Sequence, residues 1–127
     1  MLNIGKMKNT IFLTVLLFSC ISPAFPMDVK KYEEMKNNHK SRAALALYIG
    51  GIGESYSWSN AIVTLRGDKN LFCPPLKISL NEGNYIDIVD KQVVKMKNTK
   101  NKDAKAEEIP IELMMYYGLV EAFPCSN

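Results

Sequence analysis

RAALALYIGGIGESYSWSNAIVTL, residues 42–65, decides the fold. Its apolar side chains Leu45, Ile49, Ile52, Tyr56 and Val63 return near one face at helical spacing, which predicts one long helix. Gly50, Gly51 and Gly53 interrupt that pattern, and each costs roughly 1 kcal/mol relative to alanine inside a helix. A phosphate-cradling loop would explain them, but no strand leads in. Neither a lysine followed by Ser or Thr nor the dinucleotide spacing follows. The better explanation is steric: Ala46, Gly50 and Gly53 form a smooth strip on which another helix can lie close.

On the N-terminal side, residues 29–36 carry Val29, Tyr32 and Met35 at steps of three among charged residues. This is a narrow stripe, expected to form a short helix that packs weakly or frays. Residues 37–41 are a polar break. On the C-terminal side, residues 66–78 read as irregular, with Gly67, Asp68 and Asn70 as turn formers and Pro74 and Pro75 preventing a regular continuation. Ser79 and Glu82 have capping-box spacing, and Ile86, Val89, Val93 and Met96 then follow helical spacing to about Lys97. Residues 98–107 contain no apolar residue larger than alanine and read as a flexible basic loop. Glu107 and Glu108 suit the positive end of a helix and Pro110 its first turn, and residues 111–123 are the most apolar helical stretch after residue 25. Pro124 stops it. No strand alternation and no internal repeat appear, so the expected fold is all-α: a small single-domain bundle of about four helices with one disulfide.

The first 24 residues have a different character. Lys6 and Lys8 precede an apolar run, 11–18, that is too short to span a bilayer, and Ser22 and Ala24 supply the small residues of a cleavage site. Residues 1–24 are thus expected to be a cleaved secretory signal peptide and 25–127 the folded domain, placing the mature protein in the periplasm. A rival reading takes Leu17, Phe18, Ser19 and Cys20 as a lipoprotein box, with Cys20 lipidated and the chain membrane-anchored, although Phe18 is bulky for that position. The whole chain has 16 basic and 13 acidic residues, a net charge of +3. Two of the basic residues and none of the acidic ones lie in 1–24, so 25–127 carries +1. A nearly neutral domain gives no compositional support for nucleic-acid binding.

Export leaves two cysteines, Cys73 in FCPP (72–75) and Cys125 in AFPC (122–125). An even count in an oxidising compartment implies a disulfide rather than two free buried thiols. A domain of roughly 100 residues gains much from such a staple.

Chemistry has few candidates. His39 is the only histidine, stands in the polar break and is expected to be solvated; it cannot build a metal site alone. Gly53, Glu54, Ser55, Tyr56 and Ser57 resemble a nucleophile elbow only superficially, since Ser57 replaces the second glycine and no strand precedes it. The acidic residues are scattered. No catalytic residue, metal-ligand set or cofactor is therefore assigned, and the expectation is a binding protein, not an enzyme.

Several of these pieces together resemble the Rap/Tai type of immunity proteins, which neutralise effectors of bacterial type VI secretion. They are the signal peptide, YIGGI (48–52) in a long helix, the FCPP loop, the amphipathic helix after it and a last helix closing in EAFPC (121–125). Many relatives carry another cysteine near the YI-G segment, where this chain has Leu45, Ala46 and Leu47, which leaves a single possible bridge. The resemblance implies a periplasmic helical protein, often dimeric, that binds a peptidoglycan-cleaving amidase and occludes its active-site cleft. Because that family blocks its target with a protruding segment, Lys97, Lys100, Lys102 and Lys105 become candidate partner-binding residues, with the surface near Tyr48, Tyr56 and Trp58 next in line. A different class, a small periplasmic chaperone of the acid-stress type, also fits a helical domain with one disulfide, but YIGG and FPC do not resemble that group.

Overall fold

The computed structural model describes residues 26–75, 78–99 and 105–126. The expected signal peptide, its cleavage site and the rival lipidation site Cys20 lie outside the described residues. Among those described there are four α-helices and no strand: α1 (Val29–Asn37), α2 (Arg42–Leu65), α3 (Glu82–Asn98) and α4 (Ile111–Ala122), with a short 3-10 turn, Ala106–Glu108, before α4. The all-α fold and the bounds of the long helix follow the sequence pattern closely.

Each end has a local cause. Asp28 caps α1 by accepting the Lys31 amide at 2.7 Å. Gly67, at φ 77°, takes the left-handed backbone that stops α2, a conformation glycine adopts without a Cβ penalty. At α3 the expected cap is corrected. The helix starts at Glu82, and its capping box is formed by Asn81 and Asn84, not Ser79 and Glu82. The Asn81 side chain accepts the Asn84 amide at 3.1 Å while the Asn84 side chain accepts the Asn81 amide at 3.0 Å. Asparagine supplies the same reciprocal acceptors as the Ser and Glu pair, so the box closes two residues later and places Glu82 in the first turn.

One core holds the four helices. It contains Val29 and Tyr32 of α1, Leu45 and Ile49 of α2, Phe72 of the connecting loop, Tyr85, Ile88, Val89 and Val93 of α3, and Ile111, Met114, Met115 and Leu119 of α4. The most extensive helix contact is between α3 and α4, followed by α2 with α3. The smooth strip on α2 is the seat of α3: a Cβ at Gly53 would stand 2.4 Å from the Tyr85 ring, and one at Gly50 2.8 Å from Glu82 Cγ. Gly118 does the same for α4, where a Cβ would lie 2.4 Å from Ile88 Cγ2. Burying side chains of this size stabilises by roughly 1.5–3 kcal/mol each.

Helix α1 does not fray as its narrow stripe suggested. Val29 and Tyr32 are fully buried, the Tyr32 hydroxyl donates to Asp90 Oδ1 of α3 at 2.8 Å, and Lys36 pairs with the other oxygen of Asp90. Its entrance is also pinned to α4: the Val29 amide donates to the Ile109 carbonyl at 3.1 Å and the Ile111 amide to the Met27 carbonyl at 2.8 Å, around an antiparallel bridge of Asp28 with Pro110. Sequence spacing records the stripe but not these long-range partners.

Candidate interaction surface

The loop between α2 and α3 is held from both sides. Asn60, the one polar side chain buried among the described residues, projects from α2 and grips the loop backbone: its Oδ1 accepts the Leu71 amide at 2.7 Å and the Phe72 amide at 3.3 Å, while its Nδ2 donates to the Phe72 carbonyl at 2.9 Å. Phe72 thereby enters the core. Next to it the Cys73 amide donates to the Phe123 carbonyl at 2.8 Å, and the Cys73 and Cys125 sulfurs stand 2.09 Å apart, at disulfide distance. The FCPP loop and the end of α4 are brought together, as the pair of cysteines left after residue 24 anticipated.

Of the lysines expected to contact a partner, Lys97 is helical. Lys97 lies in the last turn of α3 and bonds both oxygens of Glu33 on α1, at 2.7 and 2.6 Å, so it ties two helices together. Lys105 is exposed at the start of the 3-10 turn. Lys100 and Lys102 lie outside the described residues. His39 is exposed in the bend between α1 and α2.

Tyr48 and Tyr56 are placed apart from Trp58. The Tyr48 hydroxyl donates to Glu112 Oε1 and accepts the Met27 amide at 3.3 Å, and the Tyr56 hydroxyl donates to the Glu112 carbonyl at 3.2 Å. These bonds brace α2 against the first turn of α4, with Glu112 Oε2 buried and unpartnered. Burial, followed for Tyr48 by the bond to Glu112, raises both phenols above the usual tyrosine value. The pair is a structural brace, and Tyr48 also borders an open cleft of about 400 Å³ with Pro26, Met27 and Met35.

Trp58 belongs to a different face. On α2 the side chains of Leu47, Trp58, Ile62 and Leu65 are 74%, 69%, 47% and 87% exposed, and Gly51, Glu54 and Ala61 between them are exposed as well. At 3.6 residues per turn these seven positions fall within about 60° of one line, opposite the buried Leu45 and Ile49. The helix is apolar on both faces, with Arg42 and Glu54 its only charged residues. A helix that is hydrophobic all round is normally covered all round. Beside this stripe, Leu47, Gly50, Gly51 and Glu54 form one wall of a cleft of about 330 Å³ whose other wall is Leu80, Asn81, Glu82 and Tyr85. Two residues before Leu80, Ile78 is exposed.

The apolar periodicity of residues 42–65 marks only the core half of α2. The outward stripe was available in the same letters: Leu47, Trp58, Ile62 and Leu65 keep helical spacing on the face that the glycine strip leaves free. Comparison with protein-family models, with curated proteins and with solved structures returns no match.

Proposed function

We propose that this chain is an exported, non-catalytic protein-binding domain of the effector-immunity kind, which meets a secreted cell-wall amidase in the periplasm and blocks its cleft by stoichiometric binding. The observation that supports this reading is the cleft between α2 and the start of α3, with Leu47, Leu80 and Tyr85 as its apolar lining and Glu54 and Glu82 as its carboxylates. Among the described residues its lining holds no histidine, cysteine or lysine. Such a surface accepts a side chain or loop of another protein, and its charge selects a basic one; complementary charge speeds encounter and fixes orientation more than it adds affinity. A domain small enough to need a staple, with two cysteines at bonding distance, suits an antidote that must persist in an oxidising compartment.

The test is co-purification with the product of the neighbouring gene, followed by growth protection when that product is directed to the periplasm. The wild-type chain is expected to bind and protect. Glu54→Lys with Glu82→Lys, both exposed positions, is expected to weaken binding at least roughly tenfold and to abolish protection with the fold intact. Binding and protection that survive this double change would remove the cleft from the interface, and protection without complex formation would refute the stoichiometric reading.

A further inference from the structure

A carboxylate oxygen held away from water without a partner is costly, and among the described residues Glu112 Oε2 is in that position. The other oxygen of the same carboxylate accepts the Tyr48 hydroxyl, which in turn accepts the Met27 amide at 3.3 Å. Tyr48 and Met27 also wall the open cleft of about 400 Å³ at whose edge Pro26 stands. We infer that one occupant answers both features: the N-terminus created by removal of residues 1–24, with the Phe25 ring in the cleft and the Phe25 α-ammonium on Glu112 Oε2. This rests on the export part of the proposed function and goes beyond it.

The backbone aims the chain that way. Met27 is extended, its carbonyl accepting the Ile111 amide at 2.8 Å beside the antiparallel bridge of Asp28 with Pro110. In that register residue 27 faces 111, so residues 25 and 26 come to the level of the first turn of α4, where Glu112 stands. Pro26 favours an extended conformation for the residue before it, and extended backbone repeats every two residues. The nitrogen of residue 25 therefore leaves on the same edge as the Met27 amide, which points at the Tyr48 hydroxyl. Its side chain falls on the same face as Met27, toward the apolar wall that Met27 forms with Met35 and Tyr48.

Reach and charge agree with this course. The nitrogen of residue 25 stands at most about 7 Å from that of Met27, and Glu112 Oε2 at most about 8 Å from it through Tyr48, so the two can meet at hydrogen-bond distance. Hydrolysis of the 24–25 peptide bond by water leaves a carboxylate on the leader and turns a neutral amide into an ammonium on Phe25. A cation is the partner that a buried carboxylate oxygen requires. The other groups nearby do not supply one: Asp28 accepts the Lys31 amide, Lys31 pairs with Glu34, and Tyr48 and Tyr56 both donate to Glu112 as neutral phenols.

Protein recovered from the periplasm after expression of the full chain provides the test, its start read by intact mass and its α-amino group by NMR titration after reductive methylation with labelled carbon. The wild-type protein is expected to start at Phe25 and to titrate above the ordinary α-amino range of about 8. Glu112→Gln, which keeps an acceptor for Tyr48, should return the amine to that range. So should a Gly-Ser insertion before Phe25, which moves the ammonium by about 7 Å without touching the core and decides the matter should Glu112→Gln fail to fold. Asp28→Asn keeps the α1 cap and should leave the raised value in place. Phe25→Ala should lower Tm by at least about 4 °C, and an unchanged Tm would take the ring out of the cleft and overturn the assignment of its occupant. A wild-type amine in the ordinary range overturns the proposal, as does a raised value that survives Glu112→Gln or the insertion, or one that disappears in Asp28→Asn. A retained leader overturns this proposal together with the export reading, whereas a start at Phe25 with an ordinary amine overturns this one alone. Effector binding absent while the raised titration persists counts against the proposed function only.

Discussion

Two glycines only two positions apart on α2 are expected to respond to alanine with opposite sign. At Gly53 the new methyl carbon would stand 2.4 Å from Cγ and Cδ1 of Tyr85 and 2.5 Å from Cδ2, against about 3.5–4.0 Å for an ordinary carbon contact. The ring has nowhere to retreat: Tyr85 is fully buried, and its hydroxyl is 3.1 Å from Ser57 Oγ. Relief therefore requires α3 to lift from α2 by more than 1 Å. Overpacking of this severity costs about 3 kcal/mol, and the gain in helix propensity returns about 1, leaving Gly53→Ala roughly 2 kcal/mol less stable. At Gly51 there is no steric cost, so only the propensity gain remains and the monomer gains about 0.5–1 kcal/mol. Urea unfolding followed by far-UV circular dichroism at low protein concentration measures both. The two variants should differ by about 3 kcal/mol, or on the order of 10 °C or more in Tm, with unchanged m-values. A Gly53→Ala protein as stable as its parent would refute the close seat of α3 on α2, and a destabilised Gly51→Ala would refute the open space beside Gly51.

Three further outcomes follow from other parts of the fold. Reducing the Cys73–Cys125 bridge, or replacing both cysteines by alanine, should cost roughly 4 kcal/mol for a loop of sequence separation 52, and peptide mapping of non-reduced protein should recover the cross-linked pair; free thiols at both positions would contradict it. Asn60→Ala should destabilise by about 2–4 kcal/mol in urea titration, because it strands the Leu71 and Phe72 amides and the Phe72 carbonyl, and a loss under 1 kcal/mol would mean that the loop does not depend on this clamp. Burial first, and then the bond to Asp90, raises the Tyr32 phenol above its usual value. The stability it contributes is complete below the unfolded tyrosine value near 10 and is lost as pH rises beyond it. Tyr32→Phe should therefore cost about 1–2 kcal/mol at neutral pH yet flatten the alkaline decline, and an unchanged slope above pH 10 would place the titrating group elsewhere.

The apolar periodicity of residues 42–65 was legible because a long helix needs only local information, and its bounds are set by the polar break before it and Gly67 after it. Gly50 and Gly53 were legible as a seat because three glycines in a helix demand a steric reason. Gly118 and Asn60 were not: each looks ordinary in its own helix and acquires its role only from Ile88 or from the loop at Phe72, contacts that no local pattern encodes. The cap of α3 was misread because Ser79 and Asn81 both offer a side-chain acceptor, and Asn84 rather than Glu82 completes the reciprocal bond. On the interaction surface, Lys97 looked free in sequence since its partner Glu33 lies 64 positions away. The outward stripe of α2 was overlooked for a related reason: apolar residues on both faces of a helix blur the periodic signal that marks one of them.

The bridge between Asp28 and Pro110 also fixes the order in which the molecule can be completed. The first described segment finds its backbone partners only at residues 109–111, and Cys73 finds Cys125 at the end of α4. As the chain emerges, α2 can be covered by α1 and α3, whereas α3, whose most extensive contact is with α4, keeps that side uncovered until α4 has emerged. Helical domains usually fold fast because their contacts are local, whereas closing the bridge between Asp28 and Pro110 adds a long loop whose entropy has to be offset. The interval before α4 arrives is when aggregation competes, and whatever escorts the emerging chain must cover the open side of α3 until α4 closes the fold.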